Sequence, residues 1–343
     1  MAGELVGHSV TVTAPSCPTE TRLYAKGRLV AEGFPADRAP GLLAEHSDAV
    51  LWLDLYRPGA ADLAVVAEQF QLHPLAVEDA TEEHERPKLD RYPQHIFLNV
   101  YAVDVSTEPD DPPFGKTEIS AFVTDRVLIT VRKSPSDTHK FVERWDSDAE
   151  LAESGGVAFL LHGLLDVIVD GQVAAAQRLD VAMDGVEDAL LEEGGAARPV
   201  RMHGLRLRKT VAAIRRAIEP MPEVIAESMR KDLGLVDDEM RPYFRDVEDH
   251  ARQAGNQVEH LRDRIEGLLQ ADLAEQGNVL NDTTRKLAAW AAVITVPTFI
   301  TGYFGQNLPY PGYDKAWGYV QSMLLIVLSA GGLWLYLRRR HWL

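Results

Sequence analysis

Two uncharged apolar stretches, Leu287–Phe304 and Val320–Leu337, follow one another near the end of a chain that is otherwise rich in charge. Each is about 18 residues long, so as a helix each rises roughly 27 Å, about one bilayer core. The pair reads as a transmembrane hairpin: helix 287–304, an extracytoplasmic loop 305–319, helix 320–337 and a basic tail 338–343. Arg285 and Lys286 precede the first span, and Arg338, Arg339, Arg340 and His341 follow the second. Basic flanks favour the cytoplasmic side, which places the loop outside and both termini in the cytoplasm of a multi-pass protein of the cell (inner) membrane. The opening Met-Ala-Gly-Glu-Leu-Val-Gly-His has neither the basic patch nor the apolar run of a signal peptide, so the long N-terminal portion is expected to stay cytoplasmic.

Residues 1–154 read as a cytoplasmic α/β domain. The opening stretch, with Pro15 and Pro18, is expected to be poorly ordered or a short edge strand. Lys26-Gly27 marks a turn between two short strands in Arg22–Gly33, and Ala49–Tyr56 is an apolar run of strand length. Ala60–Phe70 has helical periodicity, whereas Ile96–Val105 and Ile119–Val131 read as strands, the first alternating and the second central. Helices interleaved with continuously apolar strands predict an α/β/α layering around a largely buried sheet. Residues 155–241 read as a helical hairpin, an acidic helix over Val157–Glu193 packed against one that is basic early on (Arg201, Arg206, Arg208, Lys209).

From Pro242 the chain meets no further proline until Pro297. Val247, Ala251, Ala254, Val258, Leu261, Ile265 and Leu268 alternate in steps of four and three, a coiled-coil seam. This stalk helix, 242–286, runs without a break into the first span, giving one rod of roughly 95 Å. A rod of that length cannot bury its seam on its own domain, so copies of the chain are expected around it.

The net charge of −17 leaves no basic face to neutralise phosphates, which excludes nucleic acid as a partner. Cys17 is the only cysteine, so neither a disulfide nor a thiolate metal site is available. His73, His84 and His95 lack metal-ligand spacing, and no enzymatic centre is expected.

The first span sorts into two faces. Trp290, Val293, Pro297, Ile300 and Phe304 are bulky; Thr284, Ala291, Thr295, Thr298, Gly302 and Gly305 are small or hydroxylated, with Leu287 the exception. Such a stripe serves close helix packing or a water-lined axis shared by several copies. Its continuation through Asn281 and the uniformly apolar second span favour the axis, with the carbonyl freed by Pro297 met by threonine hydroxyls or water. At its outer end, Asn307 offers a neutral oxygen and Gly305 allows close backbone approach, which suits a hydrated hard cation. Leu287 would form an apolar constriction near the cytoplasmic end.

The turn Gly305-Gln306-Asn307 directly after this span resembles the Gly-x-Asn signature of the CorA superfamily of divalent-cation channels. The chain is similar to that family also at His73-Pro74-Leu75-Ala76-Val77-Glu78-Asp79, Arg86-Pro87-Lys88-Leu89, Ile129-Thr130-Val131-Arg132, Phe244-Arg245-Asp246-Val247-Glu248-Asp249-His250 and the basic Trp-Leu terminus. The resemblance implies a funnel-shaped homopentamer in lipid whose first membrane helices line the pore. It implies magnesium both as transported ion and as regulator, the latter held between Asp79 and the Asp246 of a neighbouring subunit. Two departures stand out: Gln306 replaces the usual Met, and Leu308-Pro309-Tyr310-Pro311-Gly312-Tyr313 replaces an acidic Met-Pro-Glu, leaving Asp314 as the only acid of the loop. The family also includes proton-coupled zinc transporters, an alternative to a potential-driven magnesium channel. A membrane-tethered sensor or scaffold is the alternative from another class.

Overall fold

The computed structural model describes residues 14–82, 86–104, 115–191, 198–306, 309–313 and 315–343. The chain divides into two compact units, one reaching to Glu266 and the other from Gly267 to Leu343.

The first unit opens with β1 (Thr19–Ala25) and β2 (Arg28–Glu32), joined at Lys26 and Gly27, whose φ values of 51° and 70° are those of a tight hairpin turn. Then come α1 (Ala39–Glu45), β3 (Ala49–Tyr56), α2 (Ala60–Phe70), α3 (Pro74–Thr81), β4 (Lys88–Arg91) and β5 (Ile96–Asp104). Next are β6 (Gly115–Val123), β7 (Val127–Arg132), α4 (His139–Ser147), α5 (Ala149–Ser154), α6 (Gly156–Leu191), α7 (Arg198–Ile218) and α8 (Met221–Ser228). The last two helices are α9 (Arg241–Phe304) and α10 (Ala316–Arg339).

Seven strands form one sheet in the order β2-β1-β3-β7-β6-β5-β4, with β3–β7 parallel and the other pairs antiparallel. Helices cover both faces. On one, Trp52, Leu98, Ile119 and Leu128 pack with Trp145, Phe159, Ile225 and Phe244 from α4, α6, α8 and the start of α9. On the other, Leu53, Leu55, Phe97, Phe122 and Ile129 pack with Leu63, Val66 and Ala76 from α2 and α3. Burial on both sides is why β3 and β7 are apolar at nearly every position.

Three expectations change. Ile119–Val131 is two strands, because the chain reverses at Thr124–Arg126. The Thr124 hydroxyl accepts the amide of Val127 at 3.0 Å, and Arg126 Nε donates to the Ala49 carbonyl at 2.9 Å. Ile96–Asp104 does not alternate, since six successive residues from Ile96 are buried. The acids of α6 turn toward α9: Asp180, Asp184 and Glu187 all meet Arg264, at 2.6, 2.7 and 2.7 Å. From α7, Arg215 likewise reaches α9, 3.4 Å from Glu259. The part of the acidic helix at Glu192 and Glu193 lies outside the described residues.

A charged knot lies within the sheet where β3 and β7 run parallel. Asp54 accepts from Arg132 Nη2 at 2.6 Å and from the Thr130 hydroxyl at 2.6 Å, and Thr130 in turn accepts the Trp52 indole N–H at 2.9 Å. Burial pushes the Asp54 carboxyl above the ordinary range while Arg132 and Thr130 pull it back.

In the second unit, α9 passes through Pro297 unbroken. The apolar windows of α9 and α10 have mean hydropathies of 1.5 and 1.7 and are almost wholly exposed, 6% buried in each. α6 is equally apolar, at 1.6, but 67% of its window is buried against the sheet and neighbouring helices. The exposed pair are therefore the helices whose apolar surface needs lipid or other copies of the chain.

Candidate functional site

The two faces of the apolar part of α9 have different surroundings. Val293, Val296, Pro297, Ile300 and Phe304 are half-buried and Ala289 is buried, so this side is the more covered one, although Trp290 stays exposed, as do Ile294, Phe299 and Tyr303 elsewhere on the helix. Asn281, Thr284, Leu287, Thr295, Thr298, Gly302, Gly305 and Gln306 are all exposed on the single chain. Leu287 is 67% exposed, an apolar residue left largely uncovered by its own chain. Asn307 lies outside the described residues, as does Asp314.

The threonine hydroxyls point their protons inward. Thr295 donates to the Ala291 carbonyl at 2.8 Å, Thr298 to Ile294 at 3.0 Å and Thr301 to Thr298 at 3.0 Å. None of these bonds goes to the Val293 carbonyl that Pro297 leaves without its helical donor, so the hydroxyls do not make the repair expected from sequence. The consequence for chemistry is larger than for stability. A hydroxyl whose proton is committed to its own backbone offers only lone pairs to whatever lies outside. Thr295 and Thr298 thus present acceptors, suited to the water shell of a cation.

The suggested regulatory carboxylates belong to the first unit. Asp79 lies on α3, whose first turn is capped by His73 Nδ1 accepting from the Leu75 amide at 3.2 Å. Its carboxylate faces Lys88 Nζ at 2.8 Å, with both side chains about a quarter exposed, at 24% and 23%. Sequence reasoning missed this lysine as a competitor for any metal, although it sits in a motif already singled out. Asp246, one turn into α9, is 71% exposed with His250 Nδ1 at 3.9 Å. Its charge reaches His162 and Asp170 of α6. Burial holds the His162 imidazole below its usual range, opposed chiefly by Asp166, whereas burial and the charge of Asp166 raise Asp170. Among the described residues no group of three or more His, Cys, Asp or Glu side chains is arranged to hold a metal within one chain. His95 is buried with both ring nitrogens unpartnered, and His84 lies outside the described residues.

A layered α/β domain, a long helix and two exposed apolar helices define a membrane protein with a large soluble portion. Residues 47–339 match the model of the CorA-like Mg2+ transporter protein family, and the chain belongs to that family. It is 28% identical over 282 residues to the cobalt/magnesium transport protein CorA of Thermotoga maritima, spanning 81% of this chain and 79% of that protein. The complete structure of the CorA magnesium transporter from Methanocaldococcus jannaschii shares the fold with a TM-score of 0.75 at 20% identity, over 95% of this chain and 98% of that one. The full-length CmaX protein shares it at a TM-score of 0.71 and 22% identity, covering 93% and 96% of the two chains.

Proposed function

We propose that this chain is a magnesium uptake channel, a homopentamer whose α9 helices line the ion path with Thr284, Thr295, Thr298 and Gly302 inward. The observation that carries this reading is that Thr295 and Thr298, their protons bonded to the backbone, lie bare on α9 while Val293, Pro297, Ile300 and Phe304 are half-buried. Asn281 extends the stripe, Gly305, Gln306 and Asn307 form its outer mouth, and Leu287 is its apolar constriction at the cytoplasmic end. The two spans form a hairpin with both termini in the cytoplasm. For a divalent ion the membrane potential supplies about 4.6 kcal/mol per 100 mV, sufficient for uptake without nucleotide hydrolysis. Neutral oxygens hold a hydrated ion without the deep trap of a carboxylate ring, so release stays fast.

Cytoplasmic magnesium closes the channel by bridging Asp79 to the Asp246 of a neighbouring subunit. Without the ion the two carboxylates repel, so its loss loosens the assembly. The metal has to displace the Lys88 ammonium from Asp79, which sets a threshold for closure.

The test is magnesium uptake into proteoliposomes under an imposed potential, with wild type and Asn307→Ala. Flux in the first and its loss in the second, with assembly intact by size-exclusion, is the expected result. Absence of flux with the assembled wild type supports the scaffold reading and overturns this one, and undiminished flux in Asn307→Ala removes Asn307 from the ion path. A second reading, proton-coupled zinc uptake, is favoured by the aromatic loop that stands where the family is acidic. Uptake that requires a pH gradient and is specific for zinc would establish it.

A further inference from the structure

In the loop between α9 and α10 the structure shows a knot of rings. Tyr310 packs on Phe304 with centroids 5.0 Å apart at 82°, on Tyr303 at 6.4 Å and on Tyr313 at 5.4 Å. Phe304 and Tyr303 are the last turn of α9, so Tyr310 folds the loop directly back onto the helix that carries Gly305. Two cavities flank this contact. One, of about 330 Å3, is lined by Ile300, Tyr303, Pro311 and Leu325; the other, of about 430 Å3, by Thr301, Gly305, Lys315 and Ser322; Phe304 and Tyr310 line both. The ring pair is the wall between them.

The loop is built to hold that ring in place. Pro311 restricts the backbone of Tyr310 to extended conformations, and Pro309 fixes its own φ just before it. Tyr313 N–H donates to the Tyr310 carbonyl at 2.9 Å, Lys315 N–H to Gly312 at 3.1 Å and Gly318 N–H to Lys315 at 3.0 Å. Gly312 has a φ of 96°, and a Cβ at Gly318 would come within 2.4 Å of the Gly312 carbonyl oxygen, so neither position admits a side chain as the loop stands. Aromatic pairs in such edge-to-face geometry contribute about 0.5–1.5 kcal/mol each beyond their buried area.

We infer that Tyr310 is a specificity-determining positioning residue: its ring is the wedge between α9 and α10 that fixes the last turn of α9 and hence the width of the mouth. This rests on the transport reading above. A family member with an acidic loop can gather cations by charge; this chain fixes its mouth by packing. Removing the ring merges the two cavities and lets the Gly305 turn relax toward α10, which alters how a hydrated ion fits and so discriminates between ions of different hydration geometry.

Uptake of magnesium and of cobalt into proteoliposomes, measured as KM and maximal rate for each, decides the matter in wild type, Tyr310→Phe and Tyr310→Ala. Tyr310→Ala is expected to shift the ratio of the two ions' KM values by about three- to tenfold, with Tyr310→Phe keeping the wild-type ratio. Equal loss of maximal rate for both ions with an unchanged KM ratio overturns the inference, since that is what general damage produces. Should Tyr310→Ala not assemble, Tyr310→Leu keeps apolar bulk without the ring and carries the same comparison. Wild-type protein that transports neither ion contradicts the transport reading itself, a result distinct from an unshifted ratio.

Discussion

Asp54 and Arg132 are an ion pair taken almost wholly out of water, with side chains 1% and 7% exposed. Truncating one partner strands the other, so Asp54→Ala should lower stability by about 3–5 kcal/mol, read from denaturant unfolding of the detergent-solubilised protein. His95 is the opposite case, an imidazole stacked against Tyr92 at 5.0 Å and beside Phe122 at 5.7 Å. Burial, with a smaller contribution from His73, pushes its pKa down from 6.5 to about 4. Below about 6.5 the unfolded chain takes up a proton that the folded chain refuses. Stability should therefore fall as pH drops toward 4 and level off below it. His95→Phe should melt with a flatter dependence between those limits than wild type; an identical slope would show that His95 does not titrate this way. Neither site was legible in the sequence. Asp54 stood in an apolar run as a single acid, and its partner lies 78 residues away.

At the scale of elements, the sequence was most readable where periodicity was long. The unbroken helix α9, the strand at Ala49–Tyr56 and the helix at Ala60–Phe70 were all visible as repeats or uninterrupted apolar runs. The reversal at Thr124–Arg126 was not, because strands buried on both faces carry no alternation to mark where one ends. Nor was the true partner of the α6 acids: complementary charge on α7 was an obvious guess, but Arg264 approaches from 77 residues away. Close packing between α4 and α6 was equally hidden. A Cβ at Gly163 would come within 2.4 Å of Trp145 Nε1, which itself donates to the Leu160 carbonyl at 3.0 Å. Gly163→Ala should thus force the indole away and cost about 1–3 kcal/mol in unfolding experiments. A stability equal to wild type would mean that α4 can shift without loss.

For the whole molecule, the seam residues of α9 up to Ile265 are buried within the first unit, so part of the coiled-coil pattern is satisfied by the chain's own domain rather than by copies. Leu273, Val279 and Leu280 remain exposed and are what an assembly would cover. Lys88→Gln removes the ammonium that competes for Asp79, so internal magnesium should inhibit flux at lower concentration, whereas Asp246→Ala should weaken inhibition. Inhibition unchanged in both variants would reject the pair as sensor. The central claim, that the threonine side of α9 faces the ions, is tested most directly by thiol block of flux in a Cys17→Ser background. Flux through Thr298→Cys channels should be stopped by a water-soluble thiol reagent and flux through Val293→Cys channels should persist; block at position 293 with position 298 insensitive would contradict the account.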